Sequence, residues 1–219
     1  MKIYIIATLS ILLVLGCSNT NPYQEDVEKA KVLMESDSLV SPDTVQAIAL
    51  FQSTAEKGNT EAQYYLGYYY QHGIGLEKNE DKSLIWYEKS ATAGYAPAQN
   101  KMGMLHYTGQ IGERDLSQAK KYFTLSANQD YSQAQYMLGK IYSAGRGVEP
   151  DTSKAIKWLK KSVSSGHPYP EYLLGKLLYE TAKTPKDFQE AHQWVKTSAD
   201  KGVGHAKELL QKMDDKKTK

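Results

Sequence analysis

A fixed period of 36 residues governs this chain and constrains its fold more than any other feature. Ala62, Ala98, Ala134, Pro170 and Ala206 share one column of the repeat. Leu66-Gly67, Met102-Gly103, Leu138-Gly139 and Leu174-Gly175 share a second. Trp86-Tyr87, Tyr122-Phe123, Trp158-Leu159 and Trp194-Val195 form a third, with Leu50-Phe51 one step earlier. Gly58, Gly94, Asp130, Gly166 and Gly202 form a fourth, and Asp43, Asn79, Asp115, Asp151 and Asp187 a fifth. Five columns agreeing on one period are not a chance pattern.

Each column has a physical task. Asp or Asn in the column of residue 43 accepts from the unpaired N–H groups that open a helix. Apolar residues such as Ala155, Trp158 and Leu159 then recur at helical spacing on one face. Glycine in the column of residue 58 closes that helix with a left-handed residue. A second helix follows, whose alanines and glycines let a neighbour approach closely, and Gly73-Ile74-Gly75 or Gly145-Arg146-Gly147 turns the chain into the next unit. The spacing predicts helices over 24–36, 43–57, 60–72, 79–93, 96–108, 115–129, 131–144, 151–165, 168–181, 187–201 and 204–214. A single hairpin cannot bury its own apolar face, so units must stack. The first is half a unit. The last has Gln211 where glycine belongs and runs into Lys216-Lys217-Thr218-Lys219, as terminal capping units do.

The stretch Glu61-Ala62-Gln63-Tyr64-Tyr65-Leu66-Gly67, then Gly73-Ile74-Gly75-Leu76 and Trp86-Tyr87-Glu88-Lys89-Ser90-Ala91, resembles the Sel-one-like repeat, and residues 133–148 carry a second close copy. The resemblance covers about residues 24–213 and implies an all-α fold: a right-handed α-solenoid of about five and a half helix-turn-helix units. Two units depart from the family pattern. One has Gly109-Gln110-Ile111-Gly112 as its loop. The other has Thr181 and Lys183 in place of the loop glycines, with Pro168 and Pro170 in its first helical turn, where proline is tolerated. A locally different loop is expected around 180–187.

The beginning of the chain reads differently. Lys2, an apolar run from Ile3 to Leu15 too short to span a bilayer comfortably, and Val14-Leu15-Gly16-Cys17 resemble an export signal ending in a bacterial lipobox. Cys17 is the lone cysteine, so no intramolecular disulfide forms, and lipidation explains its presence in an oxidising compartment. Residues 1–16 are therefore expected to be a signal peptide, 17–22 a lipidated tether, 23–214 the solenoid and 215–219 a charged disordered tail. Ser18, rather than aspartate, after the cysteine implies the outer membrane, facing the periplasm. A formal net charge of +2, from 27 basic and 25 acidic residues, argues against nucleic-acid binding.

In tetratricopeptide-like stacks the first helix of each unit lines the concave side. By that analogy Tyr64, Asn100, Tyr136 and Tyr172 form one line along a groove, Tyr68, Met104, Lys140 and Lys176 a second, and His72 and Tyr107 complete the partner-binding set. Tyrosine suits such a wall because it offers contact area with few rotors to freeze. It also suits packing between helices, so both uses stay open. Glu25, Glu28 and Glu61 at one end and Lys140, Lys176 and Lys212 toward the other could orient an extended partner, or form a solvated face.

Chemistry is thin by comparison. The five histidines show no His-x-x-x-His or His-Glu-x-x-His spacing, and Ser-x-x-Lys at Ser117–Lys120 and Ser198–Lys201 lacks any companion motif. No enzyme activity, metal or cofactor is expected. The reading is a monomeric, membrane-anchored scaffold or adaptor for a protein partner. The resemblance implies an envelope complex, or a phospholipase effector of type VI secretion that the chain would neutralise as an immunity protein. It also brings in a cell-wall or β-lactam hydrolase, but the relatives so described carry a disulfide in every unit, which this chain cannot form.

Overall fold

A computed structural model describes residues 23–34 and 42–217, with side chains through residue 215. The expected signal peptide 1–16, the expected tether 17–22 with Cys17, and residues 218–219 lie outside the described residues. Among the described residues every regular element is helical: α1 Gln24–Met34, α2 Pro42–Glu56, α3 Thr60–His72, α4 Glu80–Thr92, α5 Ala96–Thr108, α6 Leu116–Ala127, α7 Ser132–Ala144, α8 Thr152–Ser162, α9 Pro168–Thr181, α10 Pro185–Asp200 and α11 Gly204–Lys217. A short 3-10 turn, Val163–Ser165, extends α8. The main contacts join helices adjacent in sequence, as in an α-solenoid.

The columns act as anticipated. The side chains of Asn79, Asp115 and Asp151 accept from backbone N–H groups at the starts of α4, α6 and α8. Gly58, Gly94, Gly166 and Gly202 hold φ between 71° and 96°, and Asp130 adopts φ 58° in the same column. Asp130 is locally supported, because its Oδ1 accepts from Gln135 Nε2 at 3.2 Å. The core repeats along the stack as a series of buried clusters. Phe51, Tyr87, Phe123, Leu159 and Val195, one per unit, are each at most 1% exposed. Opposite four of them lie the glycines of the second column. A Cβ at Gly103 would sit 2.7 Å from the Phe123 ring, and one at Gly139 would sit 2.6 Å from Leu159 Cγ. These glycines set how closely the two helices of a unit pack.

Two polar columns lock the hairpins. Ser90, Ser126, Ser162 and Ser198 donate to the carbonyls of Thr60, Ala96, Ser132 and Pro168 at 2.6, 2.7, 2.8 and 2.7 Å, tying each second helix to the start of the first. Gln63, Gln99 and Gln135 donate to the carbonyls of Ala55, Ala91 and Ala127 at 3.1, 3.2 and 3.3 Å, tying each unit to the one before. Where that glutamine becomes Glu171, buried to 3% exposure, Lys201 donates to it at 2.6 Å. Gln129 and Gln99 make the neutral version of this contact at 2.8 Å.

Several helix ends differ from expectation by one to three residues, and two of these shifts have a clear cause. Helix α10 begins at Pro185 rather than 187, because Thr184 is the cap. Its hydroxyl accepts from Asp187 N–H at 3.2 Å, while Asp187 Oδ2 accepts from the Thr184 N–H at 2.9 Å. As expected, the loop before it is atypical: Ala182 is extended where other units use a left-handed glycine. Helix α11 continues through Lys217, so the tail expected to be disordered from residue 215 is helical that far. Met213 is buried, His192 Nε2 bonds Asp214 Oδ1 at 2.6 Å, and Gln211 Nε2 donates to Asp215 Oδ1 at 2.8 Å. The His192–Asp214 bond ties the last turns to α10, and the Gln211–Asp215 bond braces them within α11. No described helix is long and apolar enough to cross a membrane.

Candidate protein-binding groove

Helices α5, α7 and α9 are the first helices of consecutive units, and their residues line a row of clefts. The central cleft, about 490 Å³, has Asn100, Met104, Tyr136 and Met137 on its walls with His167 and Pro170 at its far side. A second pocket of about 220 Å³ holds Tyr136, Lys140, Arg146, Tyr169, Tyr172 and His205. A third, about 280 Å³, holds Tyr172, Lys176, His205, Glu208 and Lys212. Tyr136 belongs to the first two and Tyr172 to the last two, so the three form one groove.

The anticipated residues are placed unevenly along it. Met104, Tyr136, Lys140, Tyr172 and Lys176 are half-buried on the groove wall. Asn100 lies deeper, 8% exposed, with its Nδ2 donating weakly to Gln133 Oε1 at 3.4 Å and its Oδ1 without a partner. Tyr64 packs between the rings of Tyr87 and Tyr95, at 5.5 and 5.7 Å, and burial pushes its phenol pKa up. Tyr68 and His72 are exposed and touch each other, ring centroids 4.3 Å apart, but line none of the three clefts. Tyr107 is in the core at 8% exposure, against Phe123. Its ring has the Arg114 and Arg146 guanidiniums at 5.0 and 5.8 Å, and Arg146 donates to its hydroxyl.

The charge gradient is also modified. Lys31 bonds Glu61 at 2.7 Å and Glu28 at 2.9 Å, so one cation offsets part of the charge of the acidic end. Burial alone would lower the Lys31 pKa, but the two carboxylates outweigh it and hold it above the ordinary lysine value. The basic end keeps more of its charge, since the contact of Lys176 with Glu180 is long, at 3.8 Å. Among the described residues no cluster of three His, Cys, Asp or Glu could hold a metal. The Ser198 hydroxyl and the Lys201 amine are both occupied, by the Pro168 carbonyl and by Glu171.

Models of the Sel1 repeat match residues 30–59, 60–95, 96–131, 132–167 and 171–203, most of the chain. The chain is a Sel1-repeat protein. Comparison with curated proteins gives no match. Among solved structures, it is similar to a protective antigen with an SLR fold from uropathogenic Escherichia coli, at 32% identity and TM-score 0.74; the alignment covers 86% of this chain but 40% of that one. It is also similar to a Sel1 repeat protein from Oxalobacter formigenes, at 27% identity and TM-score 0.74, covering 85% and 76% of the two chains. A Sel1 repeat protein from Klebsiella pneumoniae, 22% identical with TM-score 0.54 over 88% and 93%, shares the fold.

The Sel1 stack brings residues to the groove that column-reading at 64 and 68 left out: Gln133, Tyr169 and His205, one unit apart. They sit three residues before the 64 column, which on a helix is the same broad face. At about 100° per residue, that column lies some 60° from residue 64 and only about 20° from residue 68. The true centre of the wall is therefore near 61 and 68, and Tyr107, in the column of residue 71, turns toward the packing side. Arg146 reaches the groove from the loop between α7 and α8, where helical periodicity says nothing.

Proposed function

We propose that this Sel1-repeat protein is a docking scaffold. It holds an extended segment of a protein partner along the wall of α5, α7 and α9, and a lipid on Cys17 anchors it to the outer membrane, facing the periplasm. The continuity of the three clefts through Tyr136 and Tyr172 is the observation that supports docking most, because one strand of partner chain could run through all of them. Tyrosine, methionine and arginine are residues that protein interfaces favour. The anchor is supported by the Lys2-to-Cys17 pattern alone.

Site-specific photo-cross-linking in the producing cells tests the docking reading. A photoreactive residue at Met104 or Tyr172 should yield adducts with one common protein, and the same residue at Ile85 or Leu125, exposed on second helices, should not. Equal adducts from both sets, or adducts from the second-helix positions alone, would reject it. The anchor is tested separately: labelled palmitate should enter the wild type and not Cys17→Ser, and an unlabelled wild type removes the anchor but not the groove.

A further inference from the structure

We infer that the middle of the groove selects an extended, internal acidic segment: a large apolar side chain seated in the central cleft and an Asp or Glu carboxylate, about three residues away, bound by Lys140 and Arg146. The inference rests on the docking reading and specifies its chemistry.

Charge carries the first half. The pocket between α7 and α9 contains Lys140 and Arg146 and no carboxylate. Among the described residues neither cation has an ion-pair partner. Lys140 lies over the Tyr136 ring at 5.4 Å, and Arg146 is held from behind by the Tyr107 hydroxyl. Both are thus supported by aromatic groups, which restrict them without neutralising them. Tyr169, 52% exposed, walls the same pocket. An anion entering it would gain charge-assisted hydrogen bonds in a site partly shielded from water.

The central cleft supplies the second half. Met104, Met137 and Pro170 give it an adaptable apolar lining. Asn100 lies on its wall with a buried Oδ1 that accepts from nothing in the chain. The occupant is an internal segment rather than a chain end, since Tyr172 and His205 carry the groove on past the basic pocket. The central cleft and the basic pocket share Tyr136, so an extended chain at roughly 3.3 Å per residue passes from one to the other within a few residues.

The probe is a displayed library of random short peptides with both termini masked by fusion, selected against the intact chain. Sequences pairing Asp or Glu with Leu, Met or an aromatic two to four residues away should be enriched. Lys140→Glu should weaken the selected peptides about tenfold or more, the usual result of losing a hydrogen bond to a charged group. Reselection on Lys140→Glu/Arg146→Glu should favour lysine and arginine instead. Groove-binding peptides, lost on Met104→Glu, that show no acidic preference would overturn this inference and leave docking intact. Peptides indifferent to both Met104→Glu and Lys140→Glu, or no enrichment at all, would overturn this inference as well, and cross-linking then decides whether docking falls with it.

Discussion

Replacing Gly175 by alanine puts the reading of the glycine column to a quantitative test. In an exposed helix interior the change is worth about 1 kcal/mol in favour of alanine, because glycine loses more backbone entropy on folding. Here the added methyl would sit 2.7 Å from Val195 Cγ2, 2.8 Å from the Val195 backbone nitrogen and 3.1 Å from the Ala191 carbonyl oxygen. Two of those three atoms are backbone, so relief requires α9 and α10 to move apart. Overpacking of this kind costs about 1–3 kcal/mol, and the backbone contacts place it in the upper half. The net expectation is a loss of about 1–2 kcal/mol, or roughly 2–8 °C in Tm for a chain of this size. Gly204, first in α11, has nothing within 4 Å of an added Cβ, so Gly204→Ala should change stability by a few tenths of a kcal/mol at most. Thermal unfolding followed by far-UV circular dichroism compares the two. If Gly175→Ala is as stable as Gly204→Ala, close helix approach does not explain the column.

Further outcomes are expected. Phe123→Ala, at a fully buried position in the middle of the stack, should cost about 3–5 kcal/mol in denaturant unfolding. Lys201→Met should destabilise by leaving the Glu171 carboxylate buried without its cation; Glu171→Gln added to Lys201→Gln should restore most of the loss, since Gln99 and Gln129 make that neutral contact elsewhere. The Asp187 carboxyl is held below its usual range by the Lys183 and Thr184 N–H groups, and that of Asp151 by the Lys154 N–H. A depressed folded-state pKa gives stability that is present above the ordinary carboxylate pKa of about 4 and lost as pH falls through the folded value. Asp187→Asn should therefore flatten the acid limb of a Tm–pH profile, and an unchanged limb would show that the cap carries no such linkage.

Most of the architecture was legible because each structural task returns to the same column. The buried rings at 87 and 123 face Gly67 and Gly103 where the hairpin must close, so period and packing are one signal. The misjudged boundaries lie where tertiary contacts override local pattern. Asp187 looks like a cap by its column, yet Thr184 captures that role through a reciprocal pair. The last turns of α11 are polar but are pinned by Met213 and His192. The groove was less legible. A one-dimensional column marks a helix face only to within a few tens of degrees, which separates open Tyr136 from buried Tyr107. Loop residues such as Arg146 carry no periodic signal at all.

The most direct measurement is calorimetric titration of the cross-linked partner, purified, into wild type, Lys140→Glu, Tyr172→Ala and a control changed at Ile85. Each groove variant should bind about tenfold or more weaker, with the Ile85 variant unchanged and all four folded at the assay temperature. Equal affinity across the four would mean that the partner sits elsewhere and that the groove is not the working surface of this protein.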